Sequence, residues 1–361
     1  MMSESNRSPP AAALNEHESA VLNYGCTRWR TSSQIAARLY NQGHKLWTKK
    51  DLRDIERQIA QSVDRETFTV QAIDGNIILI ENLNFGEQQS IWKPYVKYQG
   101  YWQLVKAEPS GPPETYHCSY LVEWSNQSAR AFRDNILKPN SVFGETKSSW
   151  MKSQSCELLK SQLWEHVDAK KVTKIICCGL GDMCRQPPEW MKRNRASSTE
   201  EVDLSFVRPS MIQHSIALTI AQIFRTNNEN EVQLLAQDPD YTEETKEILG
   251  KNGFSIVGQA GAGGFAEIDD NSVVFSVFVE APLKQIIADI ARPIVVISTE
   301  FAVFNDHEKP WIDADSPRTK DMWQEYDNFH FPIASEDEKL MSKLRDVHMY
   351  IRKTEKGGYL D

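Results

Sequence analysis

Apolar positions repeat with two different periods along this chain, and the change from one to the other divides it. From Thr31 to Gly43, Ile35, Ala36, Leu39 and Tyr40 recur on one helical face, and Thr31-Ser-Ser-Gln34 offers a capping box. Thr48 to Val63 predicts a second helix, with Leu52, Ile55, Ile59 and Val63 as its stripe. Two β-rich runs flank Asp74-Gly75 and predict a hairpin, because Gly tolerates the positive φ of a tight turn. Two helices and a hairpin resemble a winged-helix layout. Lys49, Lys50, Arg53 and Arg57 nevertheless fit a solvated helix face better than a DNA-reading one, since fold alone confers no function. Tyr95 to Lys106 and His117 to Trp124 predict further strands around the Pro-rich loop Glu108 to Pro113, and Ser148 to Val167 predicts a helix.

Beyond that helix the pattern alternates. Strand patterns at Lys174–Cys178, Val232–Ala236, Phe254–Val257, Ser272–Val279 and Ile294–Ile297 are separated by helix patterns at Ser210–Phe224, Thr242–Asn252 and Pro282–Ile290. Parallel strands need crossovers, so the expected class is α/β, a Rossmann-like, mostly parallel sheet with a smaller α+β N-terminal region. The expected bounds are a tail over 1–20, the α+β region over 21–146, the Rossmann-like domain over 147–310 and a wrapping segment over 311–361.

Composition narrows the class further. A chain of 361 residues with 40% hydrophobic and 25% charged residues is ordinary for a soluble globular protein, and it contains no apolar run long enough to span a membrane. The first residues read as a solvated tail rather than a secretory signal, so the expected compartment is cytoplasmic. Six scattered cysteines, with Cys177 and Cys178 on opposite faces of one strand, read as reduced packed thiols and suggest no metal site. A net charge of −9 argues against general affinity for nucleic-acid phosphates, and no DNA partner is expected. Lys192, Arg193 and Arg195 form a local exception just after the first strand of the alternating part.

In an open parallel sheet, ligands bind beyond the carboxyl ends of the strands. That rule nominates Gly179, Gly181 and Asp182 after the first strand, Asp238 and Asp240 after the second, Glu280 after the fourth, and Ser298, Thr299 and Glu300 after the fifth. A full GxGxxG is absent, so a dinucleotide cofactor is not expected. Asp238 could hold ribose hydroxyls or simply begin a turn. Carboxylates at strand mouths could pair with a guanidinium, accept a proton or simply be solvated. His214, inside an apolar helix, reads as a satisfied core histidine, and Cys184 has no evident partner base. The run Gly258 to Gly264 reads as a flexible loop rather than a phosphate loop.

Lys174-Ile-Ile-Cys-Cys-Gly-Leu-Gly181, Ser210-Met-Ile-Gln-His-Ser-Ile-Ala217 and Asp238-Pro239 with Tyr241-Thr242 resemble the sensitivity-to-red-light-reduced family, over about Lys171 to Phe304. The chain departs from the family pattern at Glu280-Ala-Pro282 and at Ser298-Thr-Glu300, and both departures install an acid. The segment Asp315 to Asp327 resembles the family's fungal branch, which holds arginine-containing cyclodipeptide synthases. That resemblance implies an enzyme joining arginine, from arginyl-tRNA, to a second aminoacyl-tRNA-derived amino acid as a diketopiperazine, with no cofactor. Glu280, Glu300 and Asp182 are then the expected catalytic residues. Gly179, Gly181, Asp238, Asp240, Ser298 and Thr299 would bind substrate, and Lys192, Arg193 and Arg195 would contact tRNA. Two other classes fit the same residues: a non-catalytic regulatory protein of the light and clock signalling type, and an S-adenosylmethionine methyltransferase.

Overall fold

The computed structural model describes residues 27–87, 91–106, 111–126, 133–189, 191, 199–226, 231–300 and 311–353. The N-terminal part contains α1 (Thr27–Asn41), α2 (Lys49–Ala60), the hairpin β1 (Thr67–Gln71) and β2 (Ile77–Glu81), then β3 (Trp92–Tyr98), α3 (Tyr101–Val105) and β4 (Tyr120–Asn126). The hairpin forms around Gly75 at φ +87, as its Asp-Gly turn requires. The capping box lies elsewhere than expected. Thr31 falls inside α1, and the box forms on α2, where Thr48 accepts from the Asp51 backbone and Asp51 reaches back.

Helices α4 (Pro139–Met151) and α5 (Gln154–His166) replace the single expected helix, because Ser153 caps a new start by accepting from the Cys156 backbone. The central sheet follows: β5 (Lys174–Cys178), α6 (Thr199–Thr226), β6 (Gln233–Gln237), α7 (Glu243–Lys251), β7 (Ser255–Ile256), α8 (Gly263–Ala266), β8 (Ser272–Phe275), α9 (Leu283–Ile290), β9 (Val295–Thr299), α10 (Pro317–Trp323), β10 (Tyr326–His330) and β11 (Val347–Arg352). Its order is β10-β11-β9-β8-β5-β6-β7, parallel from β9 to β7 and antiparallel at β10 and β11. The expected mixed α/β class with a mostly parallel sheet is observed. The segment beyond residue 311 does more than wrap the domain, since β11 pairs with β9 and extends the sheet.

Each face of the sheet carries its own core. Ile175, Cys177, Val273, Phe275, Val295 and Ile297 pack against α4 to α7. Ile176, Cys178, Val274 and Val296 pack with residues of α1 to α3 and α9, so the N-terminal part shares a core with the sheet. Residues 283–289 of α9 are all buried, the pattern of a helix sandwiched between two layers. Asp289 on α9 accepts from the Leu46 and Trp47 backbone at 2.7 and 3.2 Å and pairs with Arg318, whose guanidinium lies 4.0 Å over the Tyr40 ring. This fastens α1, α9 and α10 together over the face that carries the candidate site.

Candidate functional site

At the end of β5 the chain turns through Gly179 (φ +65) and Gly181 (φ +82). A Cβ on Gly179 would meet the Phe278 carbonyl oxygen at 2.8 Å, and one on Gly181 would meet Ser210 Oγ at 2.4 Å. The glycines therefore admit neighbouring parts of this chain rather than a ligand. Asp182 is equally committed. One oxygen accepts from the Cys184 and Arg185 backbone at 2.8 and 2.7 Å, and the other from Thr242 N and Oγ1 at 2.6 and 2.8 Å. Burial raises its pKa, but these donors outweigh it and hold the carboxyl below the usual range. Asp182 is thus a clamp between the β5 turn and α7, and no oxygen is left for catalysis.

Asp238 accepts from Gly181 N at 2.7 Å and from Asp240 N at 2.9 Å. Burial, with the charges of Asp240 and Asp182, pushes it up to about 6. Each of its oxygens thus holds one backbone N–H of the turn, the role that the Asp-Pro-Asp sequence also suggests. Cys177, Cys178 and Cys184 are fully buried, and burial raises all three thiols, so none is an activated nucleophile.

His214 is the core histidine expected from its helix. Its Nδ1 donates to the Ser210 carbonyl at 2.7 Å, and Nε2 accepts from Tyr241 OH at 2.8 Å, so one neutral tautomer satisfies both contacts. Burial depresses it to about 4. A depressed pKa means the unfolded state binds the proton first, so this stability is present above the unfolded value near 6.5 and declines as pH falls toward 4. The decline amounts to about 3 kcal/mol by order of magnitude. Asp238 and Asp313, both raised to about 6, act in the opposite sense over that window. The test is therefore a difference: His214→Gln should reduce the pH slope of urea-unfolding stability between pH 6.5 and 4.5 by up to about one proton. An unchanged slope would show that His214 does not titrate there.

The glycine-rich run after β7 is a built structure, not a loose loop. Ala260 N, Ala262 N and Gly263 N donate to the Glu56 carboxylate of α2 at 2.8–2.9 Å, and Gly264 N donates to Gln237 Oε1 at 2.7 Å. An internal carboxylate fills the anion-binding concavity. Nothing in the sequence pairs Glu56 with a loop some 200 residues away.

The carboxyl edge of the sheet holds a different constellation. Register places Gln237, Cys178, Ser276, Ser298, His348 and His330 side by side across six strands, Ser276 following directly on β8 with its N–H on Ile297 O. All share the face that packs on the N-terminal part, since Leu235, Ile176, Val274, Val296 and Tyr350, two residues away, and Tyr326, four residues before His330, lie in that core. Ser276 and Ser298 are each 2% exposed, and neither Oγ has a hydrogen-bond partner among the described residues. Unpaired buried hydroxyls are costly, and an ordered water or a ligand atom can complete their bonding.

Beside them, His348 Nε2 lies 3.2 Å from Glu300 Oε2, and Nδ1 lies 2.8 Å from Asn328 Oδ1. Burial lowers the His348 pKa, the Glu300 charge opposes that, and His330 reinforces it. Glu300 follows Ser298 by two residues, with its side chain 54% exposed. Lys284, 1% exposed, brings Nζ to 3.4 Å from Thr299 O and 3.9 Å from Asp315. Asp313 accepts from Lys284 N at 2.8 Å. Thr299 itself donates to the Val277 carbonyl at 3.1 Å, so its hydroxyl locks the strand end instead of meeting a substrate.

The expected acids do not form one pocket. Strand β8 ends at Phe275 rather than Val279, leaving Glu280 exposed on the following bend, where its charge acts on Tyr95 of β3. Glu300 follows β9 and Asp240 follows β6, and three strand spacings, about 14 Å of sheet, separate those ends. Glu280 and Glu300 follow the neighbouring strands β8 and β9. Lys192, Arg193 and Arg195 lie outside the described residues. Sequence reading missed Ser276, His348 and Lys284. A serine one residue beyond an apolar strand was a faint signal, and the C-terminal strand that brings His348 was not foreseen.

The fold and its occupied edge define an α/β domain with a parallel sheet closed by an antiparallel C-terminal pair. A family model described as the SRR1 domain matches residues 156–355, more than half of the chain, and the chain belongs to that family. Comparison with curated proteins and with solved structures gives no match. No helix among the described residues is long and apolar enough to cross a membrane.

Proposed function

We propose that this chain is an acyl-transfer enzyme of the tRNA-dependent cyclodipeptide synthase kind, joining arginine from arginyl-tRNA to a second tRNA-borne amino acid. The observation that carries the reading is the pair of buried, unpartnered hydroxyls, Ser276 and Ser298, beside the Glu300–His348 pair. Aminolysis of an aminoacyl ester needs a base for the amine proton and donors for the oxygen that becomes negative. In this assignment Glu300, positioned by His348, takes the proton of the attacking amine and returns it to the tRNA 3′-oxygen as the ester C–O bond breaks. The two hydroxyls donate to the developing oxyanion, and a second aminolysis, releasing the other tRNA, closes the ring. Glu280, one strand over and exposed beside Tyr95, receives the guanidinium, which carboxylates bind bidentately. The ester is already activated, so the step requires no nucleotide.

The test is direct. The full chain is incubated with arginyl-tRNA and a panel of other charged tRNAs, and cyclic dipeptides are sought by mass. Products in no pairing would reject the assignment. A second reading, a regulatory protein that holds a small ligand without transforming it, is favoured by the depth of the two hydroxyls, and ligand-dependent thermal stabilisation without product would select it.

The basic run also belongs to this reading. Replacing Lys192, Arg193 and Arg195 together by Ala should weaken tRNA binding and flatten its salt dependence, by about one unit for each phosphate no longer neutralised. Equal salt slopes for the variant and the parent would mean that these cations only solvate a loop.

A further inference from the structure

Strand β2 is an edge that nothing in the described structure covers. Its pairing with β1 uses residues 76, 78, 80 and 82: Ala72 N donates to Asn76 O, Asn82 N donates to Glu66 O, and the register between them alternates. The backbone groups of Ile77, Leu79 and Glu81 therefore point away from β1, toward the open side. The side chains of Ile77 and Leu79 are 69% and 66% exposed, and Leu83 and Phe85 widen the apolar surface at 71% and 48%. A run of Ile-Ile-Leu-Ile on an open edge has no proline, bulge or lysine to keep it apart from other chains, and its one charge is Glu81 at the end.

We infer that two copies of this chain join edge to edge through β2, antiparallel about a two-fold axis at Leu79, into one four-stranded sheet. The edge is self-complementary in this register. Leu79 meets Leu79 of the second copy, Ile77 meets Glu81, and about six backbone hydrogen bonds close across the axis. On the other face Ile78 comes opposite Ile80, so the half-buried row that faces the N-terminal core continues across the junction. Charge does not oppose a second copy. The one charged residue of the strand, Glu81, falls opposite an apolar side chain, and the two Glu81 residues lie about 14 Å apart, beyond the screening length of physiological salt. A five-residue edge spans about 17 Å, so the contact is small and the expected dimer is weak.

Sedimentation velocity on the full chain between about 1 and 100 µM tests this, with dimer expected to grow across the range. Leu79→Lys should abolish the dimer while circular dichroism and thermal unfolding stay as in the parent, since the side chain is exposed. Leu79→Cys places two thiols across the axis at a Cα separation of about 5.5 Å, within disulfide reach, so mild oxidation should yield covalent dimer above the wild-type background. Thr69→Cys, on β1 opposite Leu79, should not, since three strand spacings, about 14 Å, separate it from its mate in the second copy. A chain monomeric throughout the range, a dimer indifferent to Leu79→Lys, or equal cross-linking of both cysteine variants would overturn the inference. Monomer that instead captures a synthetic extended apolar peptide, with Leu79→Lys blocking capture, would assign the edge to a foreign strand and would equally overturn it.

Discussion

Replacing Glu300 by Gln should lower the maximal rate of cyclic dipeptide formation about 100- to 10,000-fold, the range a positioned general base supplies. Its backbone N–H is tied to Asp346 O at 3.1 Å, and its carboxylate is held by His348. Burial keeps the His348 ring neutral at pH 7, so it carries one proton. Both ring contacts are satisfied when that proton sits on Nε2, toward Glu300, and the Asn328 amide turns its NH2 group to Nδ1. The amide of Glu300→Gln would keep the shape without the proton acceptor, so the deficit should fall on the chemical step. Glu280→Gln should act differently. Removing a charge-assisted pair worth ~1.5–3 kcal/mol should raise the arginyl-tRNA concentration needed by about 10- to 150-fold, with the maximal rate retained. Steady-state rates with arginyl-tRNA varied separate the two. If both variants match the parent, the acids are solvated rim residues and the assignment of arginine fails.

The sheet was legible because its strands are short apolar runs bounded by Gly, Asp and Pro, and the helices between them carry the other period. What escaped is non-local. Strand β11 contains His348 and Tyr350 among apolar residues, and only its pairing with β9 reveals it as part of the sheet. The acids were found by position but not by partner. Asp182 and Asp238 are indistinguishable in sequence from Glu300, yet each accepts from backbone N–H groups of the β5 and β6 turns, while Glu300 meets a side chain brought by β11. Gly179 and Gly181 were legible as positions of close approach, but sequence could not say that Phe278 and Ser210 make that approach.

Removal of the two buried hydroxyls should move stability and activity in opposite directions. Ser276 Oγ and Ser298 Oγ have no partner among the described residues, and an unsatisfied buried polar group costs about 1–3 kcal/mol. Ser276→Ala and Ser298→Ala each delete that group with little change of volume, so each variant should resist urea as well as the parent or better. If the same hydroxyls stabilise charge on the reacting carbonyl oxygen, each deletion should also lower the maximal rate about 100- to 1,000-fold, the cost of removing one preorganised oxyanion donor. A structural role alone predicts the reverse pairing, a less stable protein with an unchanged rate per folded molecule. The pattern also distinguishes these residues from Thr299, whose hydroxyl is bonded to the Val277 carbonyl: Thr299→Val should destabilise the strand end, by about 0.5–1.5 kcal/mol for the one hydrogen bond removed, and leave the rate intact. Urea midpoints and single-turnover rates on the three variants decide the matter, and a serine variant that is both destabilised and fully active would remove Ser276 and Ser298 from the site.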